Sequence, residues 1–252
     1  MSYLNTAPLV WGMLHGPQRE QVELSFSIPS VCAEQVERGS VQVGLVPVAE
    51  IARQGLETVP GLGIACFGAV RSILLLSRVP WREVHTLAAD ASSRTSVQLA
   101  RIILRERYGA KPRIAAHRPA LSEMLSSADA ALLIGDPALR VDTQQLNVPW
   151  LDLGAEWLAL TGLPMVFAAW AGRPGLPVPW ISEVTHGSYQ YGKARLGEIV
   201  EREHENRRIT KELADRYLRQ HIHFEIGAKE EQGWQAFLEL ASTGRGALVA
   251  HP

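Results

Sequence analysis

The sequence predicts an α/β fold, in which short apolar strands alternate with amphipathic helices. Three segments carry most of this prediction: residues 72–77, 130–134 and 165–170 are short, rich in Leu, Ile, Val or Ala, and close to arginine or glycine. Apolar residues at helical spacing lie between them, at about residues 96–108 and 152–161. This alternation of the two periodicities is typical of α/β proteins.

The remaining elements follow from the same two patterns. We expect further strands at residues 41–46, 63–67 and 86–90, and further helices at about 30–38 and 119–126. The last third of the chain carries charges and apolar residues at helical spacing, and we expect helices within residues 187–205, 210–221 and 230–243.

Two of the apolar strands, at residues 72–77 and 165–170, bracket a middle section with its own alternation of strands and helices. We therefore predict two lobes joined by these crossovers. One lobe is expected to contain residues 1–76 plus 168–252, and the other residues 77–167. Clefts between lobes are favoured ligand sites, so the predicted binding site lies between the two.

Composition restricts the kind of partner. The formal net charge of the 252 residues is −1, which argues against a nucleic-acid or anionic membrane surface and favours a small molecule. The longest apolar run, residues 163–171, is too short to cross a bilayer. Cys32 and Cys66 do not form a C-x-x-C motif, and the polar start shows no leader pattern. We expect a reduced, cytoplasmic protein.

Residues 90–96 join the predicted strand at 86–90 to a predicted helix. The start of a helix presents free N–H groups and a partial positive charge, and open α/β sheets bind ligands at the carboxyl ends of their strands. An ordinary N-cap would use the same residue types. We predict an anion site formed by Ser92, Ser93, Arg94, Thr95 and Ser96.

Six blocks, in order along the chain, carry a resemblance to a known family. They are SYLNTAPL at 2–9, GLVPVAE at 44–50, VRSILLLS at 70–77, DASSRTS at 90–96, LIGD at 133–136, and DLGAEW at 152–157 with TGLP at 161–164. Together they resemble the chorismate dehydratases of the futalosine route to menaquinone. The resemblance implies the fold of type II periplasmic binding proteins, a ligand cleft between the lobes, and a cytoplasmic enzyme. It also implies loss of water from chorismate to give 3-[(1-carboxyvinyl)oxy]benzoate, without a metal or an organic cofactor.

Chorismate carries two carboxylates, so its site needs two anion-binding patches beside an apolar floor for the ring. In a fold of this kind Asn5 and Thr6 face the cleft opposite residues 92–96, and Ser72 lies on its floor. We expect Asn5 and Ser72 to act on the reacting end of the substrate, because each can donate a hydrogen bond to a departing hydroxyl or a carboxylate. The alternatives are a helix cap for Asn5 and Thr6 and a hinge hydroxyl for Ser72.

Two charged residues complete the predicted substrate site. Arg71 adjoins Ser72, and Asp136 ends the LIGD block. Both have ordinary alternatives, since exposed arginines usually form surface ion pairs and an aspartate after glycine suits an N-cap.

No histidine stands in a matched block, so no histidine base is predicted. His221 and His223 do not share a helix face, which argues against a metal pair. Asp136 and Glu156 both suit helix starts. We therefore hypothesise that a carboxylate of the substrate acts as its own base.

Other interpretations remain open at this point. The dihydroxynaphthoate synthase of the same pathway shares the fold but has Ile-His-Glu where this chain has Ile-Gly-Asp at 134–136, which argues against it. A non-catalytic binding protein for an aromatic acid would share the cleft. Members of the family usually have an apolar strand ahead of the SYLN block, and we expect the lobe to lack that strand. The sequence leaves the oligomeric state open.

Overall fold

Two β-sheets organise the chain in this computed structural model, which describes residues 3–243. The four-stranded sheet has the order β1 (Val43–Pro47), β8 (Met165–Gly172), β2 (Glu57–Cys66), β9 (His223–Glu225). The five-stranded sheet has the order β5 (Arg113–His117), β4 (Thr86–Asp90), β6 (Ala130–Ile134), β3 (Ile73–Ser77), β7 (Trp150–Asp152). Ser2 of the first block lies outside the described residues. Residues 244–252, which end the predicted first lobe, also lie outside them.

The five-stranded sheet is mixed. Its strand β4 pairs in parallel with β5 and β6, whereas β3 pairs antiparallel with β6 and β7. Every residue of β3 and β6 is buried. Continuous apolar runs such as these are expected when a strand is covered on both faces, which is why they were the strongest strand signals in the sequence.

Helices cover both sheets. They are α1 (Ala7–His15), α2 (Pro29–Arg38), α3 (Val48–Gln54), α4 (Arg94–Tyr108), α5 (Leu121–Ser127), α6 (Asp136–Leu139), α7 (Leu153–Thr161), α8 (Val178–Lys193), α9 (Leu196–Glu203), α10 (Lys211–Arg216) and α11 (Ala228–Thr243). A π-helical turn, Tyr217–His221, follows α10. The predicted helix at 96–108 is confirmed as α4, and the predicted helical tail is confirmed as α8 to α11. No helix within residues 3–243 is long and apolar enough to cross a membrane.

Sheet membership bears on where the chain changes lobe. Strand β3 lies in the five-stranded sheet and strand β8 in the four-stranded sheet. A boundary between residues 76 and 77 would cut β3, and one between 167 and 168 would cut β8. We therefore propose the two-lobe division with crossings at about residues 67–72 and 162–164.

The four-stranded sheet has an open edge. Strand β1 pairs with β8 on one side and has no partner strand on the other within the described residues. Residues 22–27 have the alternating pattern of a strand, yet they form no backbone hydrogen bond with another described residue. A cavity of about 930 Å³, which we call the edge cavity, lies between residues 21–27 and 40–45.

Candidate active site between the two sheets

A second, much smaller cavity of about 40 Å³ lies between the two sheets, and we call it the cleft cavity. Its polar wall residues are Tyr3, Asn5, Ser72, Ser93 and Ser96. Although the edge cavity is larger, the residues predicted to carry the chemistry converge on the cleft cavity. The cleft cavity is therefore the candidate active site.

Asn5 and Ser72 are linked through a residue that the sequence did not indicate. The amide Nδ2 of Asn5 donates to the hydroxyl of Tyr217 at 3.1 Å, and that hydroxyl donates to Oγ of Ser72 at 2.9 Å. Both Tyr217 and Ser72 are buried. Burial raises the pKa of Tyr217 above its ordinary value, so the phenol stays protonated and can donate and accept at once.

Ser72 is held in place by its backbone neighbours. Its N–H donates to the carbonyl of Val70 at 2.8 Å, and its carbonyl accepts from Gly135 N–H at 2.7 Å. Arg71, immediately before it, has a φ of 62°, a left-handed conformation that non-glycine residues rarely adopt. The carboxylate of Asp152 accepts from the N–H of Arg71 at 2.6 Å and thereby holds this conformation.

The structure does not bring Arg71 to the cleft cavity. Its guanidinium donates to the carbonyls of Ala138 at 2.9 Å and Val141 at 2.5 Å. These contacts tie the crossing to α6 and to the loop after it, so the charge is already satisfied by main-chain oxygens. Arg71 supports the backbone beside Ser72 and does not face a substrate carboxylate.

Ser93 and Ser96 form the start of α4 beside the cavity. Ser93 is the N-cap, and its Oγ accepts from the N–H and the hydroxyl of Ser96 at 3.4 and 3.3 Å. Ser93 therefore has the capping role that was the alternative to an anion site, and the anion site itself stays a prediction. Pro29 and Pro47, next to the starts of α2 and α3, also line the cavity. Of these three helix starts, only that of α4 presents hydroxyl groups at the cavity wall.

The other members of the predicted anion site have different partners. Oγ1 of Thr95 accepts from the N–H of Ala49 at 3.1 Å, and the guanidinium of Arg94 pairs with Glu50 at 3.0 Å. Ala49 and Glu50 belong to α3, which follows a strand of the opposite sheet. Thr95 and Arg94 therefore hold the two sheets together across the cleft and leave the cavity wall to Ser93 and Ser96.

Ser92 takes part in the same contact across the cleft. Its Oγ lies 2.8 Å from the hydroxyl of Tyr3, and its carbonyl accepts from Ser30 N–H at 3.0 Å. Its own N–H donates to Oδ1 of Asp90 at 3.0 Å. Ser92 thus does not line the cleft cavity itself but contacts Tyr3, which does.

Thr6 and Asp136 also lie away from the cleft cavity. Thr6 is buried and lines the edge cavity instead. Asp136 accepts from the N–H of Leu4 at 3.0 Å and forms an ion pair with Arg207 at 2.6 Å. Its carboxylate anchors the segment that carries Asn5, so its contribution to the site is through that segment.

The remaining wall of the cleft cavity is apolar. It includes Ile64, Ile73, Ile134, Phe167 and Ile222, which can form a floor for a ring. No described residue that lines the cavity carries a formal charge. The site can therefore donate hydrogen bonds to anions and position a ring, but it offers no side-chain carboxylate or imidazole at the cavity wall.

Asp90 is a buried carboxyl close to this site that the sequence analysis did not single out as functional. Oδ1 accepts from Ser92, and Oδ2 is buried without a hydrogen-bond partner among the described residues. Burial raises the pKa of Asp90 above its ordinary value. Between residues 3 and 243, no group of three or more His, Cys, Asp or Glu is placed to hold a metal ion.

Solved structures define the class of protein to which this two-sheet fold belongs. Protein AF1704 from Archaeoglobus fulgidus has a TM-score of 0.72 at 15% identity, with 96% of this chain and 94% of that chain covered. The periplasmic aliphatic sulphonate binding protein SsuA from Escherichia coli has a TM-score of 0.62 at 15% identity, covering 96% and 84%. The predicted periplasmic-binding-protein-like fold is confirmed.

Sequence comparison then gives the family. The pattern of the menaquinone biosynthesis family matches residues 1–243, and the chain belongs to that family. A chorismate dehydratase from Thermus thermophilus is 28% identical over 255 residues, which cover 94% of this chain and 92% of the relative. The predicted membership of a menaquinone-pathway family is confirmed.

Proposed function

We propose that this protein is a chorismate dehydratase, a hydro-lyase that converts chorismate into 3-[(1-carboxyvinyl)oxy]benzoate and water. The observation that carries the proposal is the hydrogen-bonded chain Asn5–Tyr217–Ser72 at the wall of an uncharged cavity between the sheets. Family membership and the name of the Thermus thermophilus relative support the same reaction. The proposal includes the cytoplasmic location that the resemblance implies.

The reaction asks little of the protein beyond selectivity. The carbon–oxygen bond to the ring hydroxyl breaks, a proton leaves the neighbouring ring carbon that bears the enolpyruvyl ether, and the two departing groups combine as water. The electron pair of the broken carbon–hydrogen bond completes the aromatic ring. Because aromatisation supplies the driving force, the site has to orient the substrate, stabilise the departing hydroxyl and direct the proton.

Ser72 and Asn5 are proposed to act on the reacting end. A hydroxyl that accepts from Tyr217 keeps its own proton available for the departing oxygen of the substrate. Oδ1 of Asn5 is buried and has no hydrogen-bond partner among the described residues, so the amide retains an acceptor as well. Both groups are neutral at every working pH, which suits positioning and hydrogen-bond donation but not proton abstraction.

The proton acceptor is proposed to be the enolpyruvyl carboxylate of the substrate. No described residue at the cavity wall carries a charge, so a carboxylate that enters with the substrate would be the base nearest the ring proton. Ser93 and Ser96 at the start of α4 are proposed to bind a carboxylate through their hydroxyls and the adjoining N–H groups. The other six residues predicted to bind substrate do not line the cleft cavity, and we propose that they support the segments that do. They are Thr6, Arg71, Ser92, Arg94, Thr95 and Asp136.

Chorismate cannot enter the cleft as it stands here. The cavity of about 40 Å³ has room for about one water molecule, whereas small-molecule sites usually measure about 300 Å³ or more. The contacts of Thr95 and Arg94 with α3 also join the two sheets. The proposal therefore requires the two sheets to separate when substrate binds.

The test is to incubate the purified protein with chorismate and to follow the product by mass spectrometry and ultraviolet absorbance. The expected product is lighter than chorismate by one water and has the absorbance of a substituted benzoate. The Tyr189→Phe variant is a matched control, because the Tyr189 hydroxyl bonds to Glu225 away from the cleft cavity and activity should persist. Unchanged chorismate after prolonged incubation with folded protein would refute the proposed function.

A further inference from the structure

We propose that Tyr217 is a positioning residue, which sets the orientation of both Asn5 and Ser72 toward the substrate. The inference rests on the proposed function and adds a residue from the helical tail to the site. Its phenol hydroxyl is hydrogen-bonded to two side chains that line the cleft cavity.

The direction of the hydrogen bonds gives Tyr217 this role. Its oxygen accepts from Nδ2 of Asn5, and its proton goes to Oγ of Ser72. Because Ser72 accepts in this hydrogen bond, the proton on its own oxygen is free to point into the cavity. Without the phenol, the hydroxyl of Ser72 could rotate to donate elsewhere, and the amide of Asn5 would lose the contact that fixes its plane.

Tyr217 is itself held firmly. Its side chain is 1% exposed, and burial raises its pKa, so it neither moves into solvent nor ionises. It is the first residue of the π-helical turn, whose last residue, His221, contacts the carbonyl of Ala69 through Nδ1 at 2.9 Å. The turn is thus fastened to the stretch of chain that leads to Ser72.

The hydroxyl of Tyr217 contributes more than the packing of its ring. A phenylalanine would fill the same space, yet both partners of the phenol oxygen are cavity-wall side chains. Tyr189 provides the contrast: it is also buried, but its hydroxyl donates to Glu225, which does not line the cavity. Removing the two hydroxyls separately therefore distinguishes positioning from a general loss of a buried hydrogen bond.

The experiment compares Tyr217→Phe, Tyr189→Phe and wild type in steady-state turnover of chorismate and in thermal unfolding. We expect Tyr217→Phe to lower kcat by about tenfold to a hundredfold with little change in KM, since a small misplacement of reacting groups has effects of that size. Tyr189→Phe should keep the wild-type kcat. A structural role alone would lower Tm in both variants and leave kcat unchanged.

A double-mutant cycle adds a readout specific to positioning. If Tyr217 acts through Ser72, Tyr217→Phe should cause little further loss of kcat in a Ser72→Ala background. Should Tyr217→Phe not fold, a difluorotyrosine incorporated at position 217 keeps the ring and weakens the hydroxyl as an acceptor, and kcat should again fall without a rise in KM.

The outcomes separate the two proposals. Active wild type with a Tyr217→Phe kcat within twofold of it, or fully additive losses in the cycle, would overturn the role of Tyr217 alone. A folded wild type that forms no product would overturn the proposed function and this inference with it.

Discussion

The carboxylate of Asp152 accepts a hydrogen bond from the N–H of Arg71 at 2.6 Å, and the same side chain accepts from Val70 N–H at 2.9 Å. Asp152 also caps α7 through Gly154 and Ala155. One carboxylate thus joins the start of a helix to the left-handed residue that precedes Ser72. These contacts account for Asp152 in the DLGAEW block: its carboxylate supports the backbone and needs no part in the chemistry.

Arg71 provides the first prediction. Arg71→Ala and Arg71→Gly both remove the guanidinium contacts, but alanine must still adopt the positive φ. We expect Arg71→Gly to be the more stable variant by about 1–2 kcal/mol, the cost of the left-handed conformation for a residue with a Cβ. Urea unfolding of the two variants measures the difference.

The same pair tests whether Arg71 binds substrate. Since the guanidinium faces main-chain carbonyls, chorismate affinity of a folded Arg71→Gly variant should be close to that of wild type. A loss of affinity of about tenfold or more, or about 1.4 kcal/mol, in a folded variant would instead assign Arg71 to a carboxylate of the substrate.

Ser93 and Ser96 provide the second prediction. The double variant Ser93→Ala, Ser96→Ala should weaken chorismate binding by more than about tenfold, because two charge-assisted hydrogen bonds contribute at least about 1.4 kcal/mol together. Isothermal titration measures the affinity. Thr210→Ala is the control for a lost N-cap, since Thr210 caps α10 through Leu213 and does not line the cleft cavity.

Both variants should lose about 1 kcal/mol of stability from the missing cap. Only the Ser93/Ser96 variant should lose affinity. Equal affinities in the two variants would place the anion site elsewhere.

Asp90 provides a prediction about pH. Burial raises the pKa of Asp90 in the folded protein, so the folded state binds this proton more tightly than the unfolded chain does. The resulting stability is present below the unfolded pKa and is lost as pH rises through the folded pKa. Asp90→Asn removes the charge and keeps an acceptor for Ser92. We expect its Tm to exceed that of wild type at pH 7, with a smaller difference near pH 3.

Asp129 is the control of opposite sign. Hydrogen bonds from Thr86 lower the pKa of Asp129, so its contribution is present above the unfolded pKa and is lost as pH falls through the folded pKa. Asp129→Asn should have a lower Tm than wild type at pH 7 and approach it in acid. Parallel pH profiles for the two variants would contradict this account.

The sequence predicted well what local chemistry determines. The strand–turn–helix at residues 86–108 follows from an apolar run, a serine cap and helical spacing, and β4, Ser93 and α4 are found there. The buried strands β3 and β6 were visible for the same reason. Each of these signals depends on neighbours in the chain and on burial of whole strands.

Other elements gave no such local signal. Helix α1 is buried over Ala7–Met13, so it lacks the polar face that marks an amphipathic helix. Strand β5 is an edge strand in which Arg113 and the two alanines are exposed or half-buried, and it shows no apolar alternation. Strand β5 was not predicted, and helix α1 was anticipated only through the alternative in which Asn5 and Thr6 cap a helix.

Contacts between distant segments account for the rest. Tyr217 meets Ser72 across 145 positions of sequence, and nothing near Tyr217 indicates a site. Arg94 and Thr95 stand inside the predicted anion segment, but their partners lie in α3 and are brought there only by the fold. A pattern could locate the segment, whereas it could not say which of its side chains face the cavity.

The most direct test of the central claim is single-turnover formation of product from bound chorismate by wild type, Asn5→Ala, Ser72→Ala and Asp136→Asn. The first two variants should bind chorismate nearly as tightly as wild type and form product about a hundredfold more slowly, as expected when one preorganised donor is removed. Asp136→Asn, whose carboxylate anchors Leu4 and Arg207, should keep substantial turnover if it folds. Loss of turnover in folded Asp136→Asn, with Asn5→Ala and Ser72→Ala near wild type, would contradict the account and make Asp136 the leading candidate for the base.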